Sequence, residues 1–142
     1  MAMRVEISIT DRQRILDHAA SSAHEICGLL LGEPGRVTAV QPCANVSANA
    51  ASRFELDPAA LIAAWRGARA GAPKVIGHYH SHPSGDPRPS ANDAAEAAAD
   101  GAIWIIVGNG EIKAWRAVQH GAVQGRFDPV ALVVAGHPAA DG

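Results

Sequence analysis

Lys74-Val75-Ile76-Gly77-His78-Tyr79-His80-Ser81-His82, stopped by Pro83, reads as one β-strand at the centre of a sheet. Its first half is apolar, and its second half carries histidines at alternate positions. Residues i and i+2 of a strand share a face, so His80 and His82 can converge on one point. Asp93 follows, beyond a stretch from Ser84 to Pro89 too rich in proline for regular structure. Two imidazoles and a carboxylate from a separate element make three ligands for a divalent metal, leaving one position for water. An open position of that kind separates a catalytic zinc site from a structural one.

His78 lies on the same face by the same alternation. Three same-face positions span about 13 Å, too far for all to reach one ion at about 2.1 Å without a bent strand. His78 is therefore placed outside the ligand set, in a supporting or structural role. Asp93 also fits a plainer role, because Ser90-Ala91-Asn92-Asp93 resembles a capping box with Ser90 as N-cap. Both roles can hold at once, since a helix starting there aims Asp93 back at the strand end. Asp86, in Gly85-Asp86-Pro87, is the competing carboxylate, and turn chemistry accounts for it.

Upstream, Glu25 stands at the mouth of a continuous apolar run, Ile26-Cys27-Gly28-Leu29-Leu30-Leu31-Gly32, that reads as a buried strand. A solvated linker residue is its plain reading. A hydrolytic metal site nevertheless needs a base near the water, and a carboxylate that is not a ligand is the usual supplier. Cys27 reads as an inert buried thiol, and Cys43 has no motif around it.

The rest of the chain gives alternating elements. Arg4 to Ile9 alternates as a strand, and Thr10 is a fitting N-cap for a helix to Ala20. Glu33-Pro34-Gly35 turns into a strand from Arg36 to Gln41, and Ala44 to Ser52 reads as a loop. A short extended piece at Phe54-Glu55-Leu56 precedes Asp57-Pro58, which starts a helix to about Ala70. A third helix runs from Ser90 to about Ala99, then a buried strand from Ala102 to Val107. Asn109-Gly110 predicts a hairpin into Glu111 to Val118, with a further strand near Ala122 to Phe127. Residues 1–128 form the domain, and 129–142 are expected to be a partly disordered tail. This order predicts an α/β sandwich with a mixed central sheet flanked by helices.

At 142 residues the chain suits one domain, and with a net charge of −2 nothing suggests a nucleic-acid footprint or a basic membrane-binding face. The N-terminus lacks a signal-peptide core, and no apolar run is long enough to span a bilayer. Two cysteines are too few for a disulfide framework. A cytoplasmic protein is expected.

His80-Ser81-His82-Pro83 and Asp93, with ten residues between His82 and Asp93 and Pro89-Ser90 among them, together resemble the JAMM (MPN+) zinc metalloprotease motif. Glu25-Ile26-Cys27-Gly28-Leu29-Leu30-Leu31-Gly32 is similar to that family's catalytic-glutamate strand. The resemblance spans roughly residues 4 to 127 and implies a cytidine-deaminase-like fold. It implies that His80, His82 and Asp93 hold one zinc ion per chain, with water as fourth ligand. Glu25 then takes the water's proton and passes it to the leaving amine, while Ser90 hydrogen-bonds the oxyanion. The family acts after the C-terminal glycine of ubiquitin-like proteins, including isopeptide bonds. The compact segment before Ser90 resembles small stand-alone prokaryotic members linked to sulfur carriers, whose tails end in Gly-Gly. The loop from Asn45 to Arg53, with Phe54 and Leu56, is expected to flank such a tail by strand addition. A non-catalytic MPN interaction module is the competing class, but such modules typically lack the ligands. A nucleoside deaminase would need His-x-Glu and Pro-Cys-x-x-Cys, which are absent from the chain.

Overall fold

The structure is a computed structural model that describes residues 3–51, 53–83 and 85–136. Among the described residues, seven strands, β1 (Arg4–Ser8), β2 (Cys27–Glu33), β3 (Arg36–Cys43), β4 (Lys74–His82), β5 (Ile103–Gly108), β6 (Glu111–Ala117) and β7 (Phe127–Ala135), form one mixed sheet, and three helices are interspersed: α1 (Ile9–Ala20), α2 (Pro58–Arg69) and α3 (Ala91–Glu96). The sheet closes on itself in the order β1-β3-β2-β4-β5-β6-β7. β4 lies between β2, antiparallel, and β5, parallel. The expected mixed α/β architecture is present, with the sheet curled into a barrel rather than left open.

The alternation of β4 divides the interior in two. Tyr79 faces a core built with Ile15 of α1, Leu30, Ile105 and Val107. Its hydroxyl meets His18 Nδ1 at 2.8 Å, which ties α1 to the strand. Gly28 sits beside this ring, where any side chain would overlap it. The opposite face carries His78 and His80 next to a smaller cluster of Trp104, Ile106, Trp115, Ala117 and Phe127. A period of two thus sends the tyrosine into one core and the histidines towards the other.

Several boundaries differ from the sequence reading. The cap of α1 is Ser8, whose Oγ accepts from Asp11 N at 3.0 Å, so strand and helix join without a loop and Thr10 lies inside the helix. α3 stops at Glu96 rather than near Ala99, because Ala97 is already extended and the chain turns back through Gly101 at φ +79° to enter β5. Alanine's helix propensity yields to that tertiary demand. The strand expected near Ala122 to Phe127 is a turn, with Gln124 and Gly125 at positive φ and a single bridge from Val123 to Phe127.

The residues expected to form a frayed tail instead make β7, which pairs with β6 and, over five residues, in parallel with β1. Pro129 hid this strand in the sequence; its missing N–H argues against a ladder, yet the two neighbours hold the segment. Residues 137–142 of that tail lie outside the described residues. The Asn109-Gly110 hairpin forms as expected, both residues at positive φ. Among the described residues, no helix is long and apolar enough to cross a membrane.

Candidate metal centre

His80 and His82 leave the end of β4 on one face, as the alternation requires, and the chain then swings out through Pro83 and returns at α3. Ser90 caps that helix: its Oγ accepts from Asp93 N at 3.1 Å, while Asp93 Oδ2 accepts from Ser90 N at 2.9 Å. The capping box and the candidate ligand are the same residue. It holds the carboxylate rigidly against the strand end.

The three side chains meet at one point. His80 Nε2 and His82 Nε2 lie 3.1 Å apart, and Asp93 oxygens lie 3.2 Å and 3.1 Å from them. Tetrahedral zinc with ligands at about 2.0–2.1 Å has ligand–ligand edges of about 3.3–3.4 Å, so this donor set fits the ion closely. His80 is fully buried and Asp93 is 6% exposed, while His82 stands at the rim. Among the described residues, this is the cluster of three such side chains able to hold a metal.

The ring orientations have separate causes. His82 Nδ1 donates to the Asp86 carbonyl at 2.9 Å, so that when the ring is neutral its proton sits on Nδ1 and Nε2 is free to ligate. Asp86 therefore serves through its backbone, while its carboxylate accepts from Arg88 N within the turn, as its sequence context implied. Gly108 makes this possible: a Cβ there would run into the backbone of Gly85, Asp86 and Pro87. Trp115 Nε1 pins the same loop by donating to the Pro87 carbonyl at 2.9 Å. His80 is held differently, with its ring stacked on Phe54 at a centroid distance of 4.2 Å. His78 stays out of the ligand set, packed edge-on against Trp104.

Charge and burial act in opposite senses on these groups. Burial pushes His80 below the usual histidine range despite its bond to Asp93. Burial also opposes charging of His82, but Asp93 and the Asp86 carbonyl outweigh it and hold this histidine above its usual value. The Asp93 carboxyl, although desolvated, stays well below the carboxylate range because both histidines and the Ser90 amide bond it. One shared carboxylate cannot compensate both rings, and the deeper ring remains neutral.

Glu25 shares a cleft of about 200 Å³ with Ser47, Arg53, Phe54, Glu55, Asn92, Asp93 and Glu96. Its carboxyl is pushed up to about 7, chiefly by burial; nearby His82 opposes the shift and Asp93 adds to it. A carboxyl poised near neutrality beside a metal-ligand set can take a proton and return it. Larger hollows exist, including one of about 500 Å³ near the start of α1, but none brings together such ligands. The sequence reading missed Ser81, whose Oγ accepts from Ile26 N at 3.0 Å, and Trp115; it placed Phe54 and Asn45 only beside a substrate tail, and gave neither the stacking of Phe54 on His80 nor the bond of Asn45 to Glu25. Only the position of Ser81 between two candidate ligands could have singled it out.

Residues 10–118 match the family model of the prokaryotic homologs of the JAB domain. The chain belongs to the JAMM/MPN+ metalloprotease family. It is 34% identical over 110 residues to the desampylase of Haloferax volcanii, spanning 72% of this chain and 79% of that one. To the desampylase of Pyrococcus furiosus it is 37% identical over 102 residues, 71% and 72% of the two chains. A solution structure of a Desulfitobacterium hafniense protein, 22% identical, superposes with a TM-score of 0.77 over 94% of each chain, which establishes a shared fold. This JAMM protein is accordingly a metallohydrolase of that type.

Proposed function

We propose that the protein is a zinc metallopeptidase that hydrolyses the peptide or isopeptide bond after the C-terminal glycine of a ubiquitin-like or sulfur-carrier protein. The observation that carries this reading is the convergence of His80, His82 and Asp93 on one point, with Asp93 lining the same cleft as Glu25, which stands outside the ligand set. His80 Nε2, His82 Nε2 and Asp93 would hold one zinc ion, which when bound supplies a Lewis acid and makes water acidic enough to attack at neutral pH.

The chain's own groups do the remainder. Glu25 accepts the proton of the attacking water at its carboxylate and delivers it to the departing amine, so one residue serves as base and then acid. Ser90 keeps its hydroxyl hydrogen free, because its Oγ is the acceptor in the cap bond from Asp93 N. That hydrogen is available to a developing oxyanion.

The two desampylase relatives support a ubiquitin-like conjugate as substrate class. The Gly-Gly tail, the sulfur-carrier preference, a cytoplasmic location and the cytidine-deaminase-like assignment of the fold belong to the same proposal. The competing reading is a non-catalytic MPN module, and the retained ligand set and base speak against it. Zinc-loaded protein incubated with a ubiquitin-like carrier extended beyond Gly-Gly should yield carrier ending at the second glycine, read by intact mass. Absence of cleavage of every such fusion by protein carrying one zinc would sink the reading.

A further inference from the structure

We propose that Asn45 positions Glu25 and couples it to the neighbouring loop residues 44–51 and 53–56, so that the base and one wall of the cleft are held by one side chain. This rests on the reading of Glu25 as the proton carrier. Asn45 is half-buried and uses its entire hydrogen-bonding capacity on backbone. Its Nδ2 donates to the carbonyls of Glu25 at 2.8 Å and Arg53 at 2.9 Å. Its Oδ1 accepts from Ser47 N and Glu55 N, both at 3.0 Å. Two carbonyl and two N–H partners permit one orientation of the amide, and both of its ends are fully engaged.

The two ends have separable tasks. The oxygen folds the loop back on itself, helped by the Val46 N to Glu55 carbonyl bond at 3.0 Å and the bridge from Asn45 to Leu56. The nitrogen ties that loop to the residue carrying the carboxylate. Glu25 has a second tether to the same loop, its N–H donating to the Ala50 carbonyl at 2.8 Å. The loop in turn lines the cleft with Ser47, Arg53, Phe54 and Glu55, and Phe54 stacks on His80. Displacement of the loop by a poorly fitting substrate therefore pulls on the backbone of the base. Asn45 touches neither substrate nor metal in this account; it acts through Glu25.

The test uses Asn45→Asp and Asn45→Ala in the zinc-loaded full chain. Asp retains an acceptor for Ser47 and Glu55 but turns an oxygen towards the carbonyls of Glu25 and Arg53. For Asn45→Asp, kcat on a Gly-Gly-extended carrier should fall about 10- to 100-fold, with KM within about twofold. The acid limb of its pH–rate profile should move upward, because a second carboxylate stands near Glu25. Zinc affinity, measured by chelator competition, should be unchanged. Asn45→Ala should lower kcat and raise KM together. Wild-type kcat and pH limb in Asn45→Asp would overturn the proposal. Hydrogen exchange decides independently of turnover: in Asn45→Asp, freeing the Glu25 carbonyl from the loop should also loosen the bond from the Glu25 N–H to the Ala50 carbonyl of that loop and speed exchange of this amide, while those of Ser47 and Glu55 stay protected. Unchanged protection at Glu25 overturns the proposal even if wild type cleaves nothing, an outcome that would count against the substrate reading alone.

Discussion

The ligand half of the centre and the base half are built in contrasting ways. His80, His82, Asp86, Ser90 and Asp93 come from one continuous stretch, and their placement follows from a strand, a proline-rich turn and a helix cap in succession. Glu25 comes from the end preceding β2 and is held by partners far along the chain. Asn45 and Ala50 tie its own backbone, and Ser81 bonds the next residue, Ile26. A local scaffold can be rigid before the rest of the protein packs. A scaffold of long-range hydrogen bonds is set only when loop, strand and sheet meet, and it can respond to what fills the cleft.

The contrast is broken most sharply on the ligand side. Asp93→Ala or His80→Ala should abolish stoichiometric zinc and reduce turnover by more than about a thousandfold, since removing one ligand leaves an incomplete site. Metal analysis of the purified variants checks this; a full zinc complement in Asp93→Ala would reassign the ligand. Glu25→Gln should lose about as much activity while keeping its zinc, which separates the base half from the ligand half.

The titration of Glu25 gives the sign of two pH effects. With Glu25 as the proposed proton acceptor, activity requires its ionised carboxylate, so the rate should fall as pH drops through a limb at or below about 7, because a bound cation favours ionisation. In the metal-free protein, a folded-state value of about 7 against an ordinary 4.5 means that Glu25 binds its proton more tightly when folded. Its stabilising contribution is complete below about 4.5 and is lost as pH rises through about 7. Thermal melts of metal-free wild type should decline over that window relative to Glu25→Gln; parallel curves would show that the carboxyl is not desolvated.

Ser90→Ala should lower kcat about 100-fold through the missing donor, and should cost about 1 kcal/mol of stability through the lost cap. A variant with the stability loss alone would confine Ser90 to capping. The smallest effect sharpens the role of the loop after β4. Gly108→Val should push Asp86 from His82 and weaken zinc binding about tenfold, through loss of the ring's orienting acceptor. Chelator competition measures this, and unaltered affinity would mean that the carbonyl is dispensable.

The two halves were unequally legible for the same physical reason. Period-two spacing put the β4 histidines on one face, and the capping pattern aimed Asp93 at them, so the ligand set could be read without neighbours. His78, which strand geometry had set apart, lies outside the cluster of His80, His82 and Asp93. Phe54, Asn45 and Trp115 carry no local pattern that ties them to the site, because the contacts that do so run to residues 20 or more positions away.

By itself, the sequence determined the strand, turn and cap that gather His80, His82 and Asp93, since those depend on backbone periodicity and nearest-neighbour hydrogen bonds. Tertiary structure alone decided that residues 127–135 close the barrel on β1, that Asp86 acts through its carbonyl, and that Asn45 grips Glu25. These are pairings between distant segments, and their energies exist only after the sheet has brought the partners within reach.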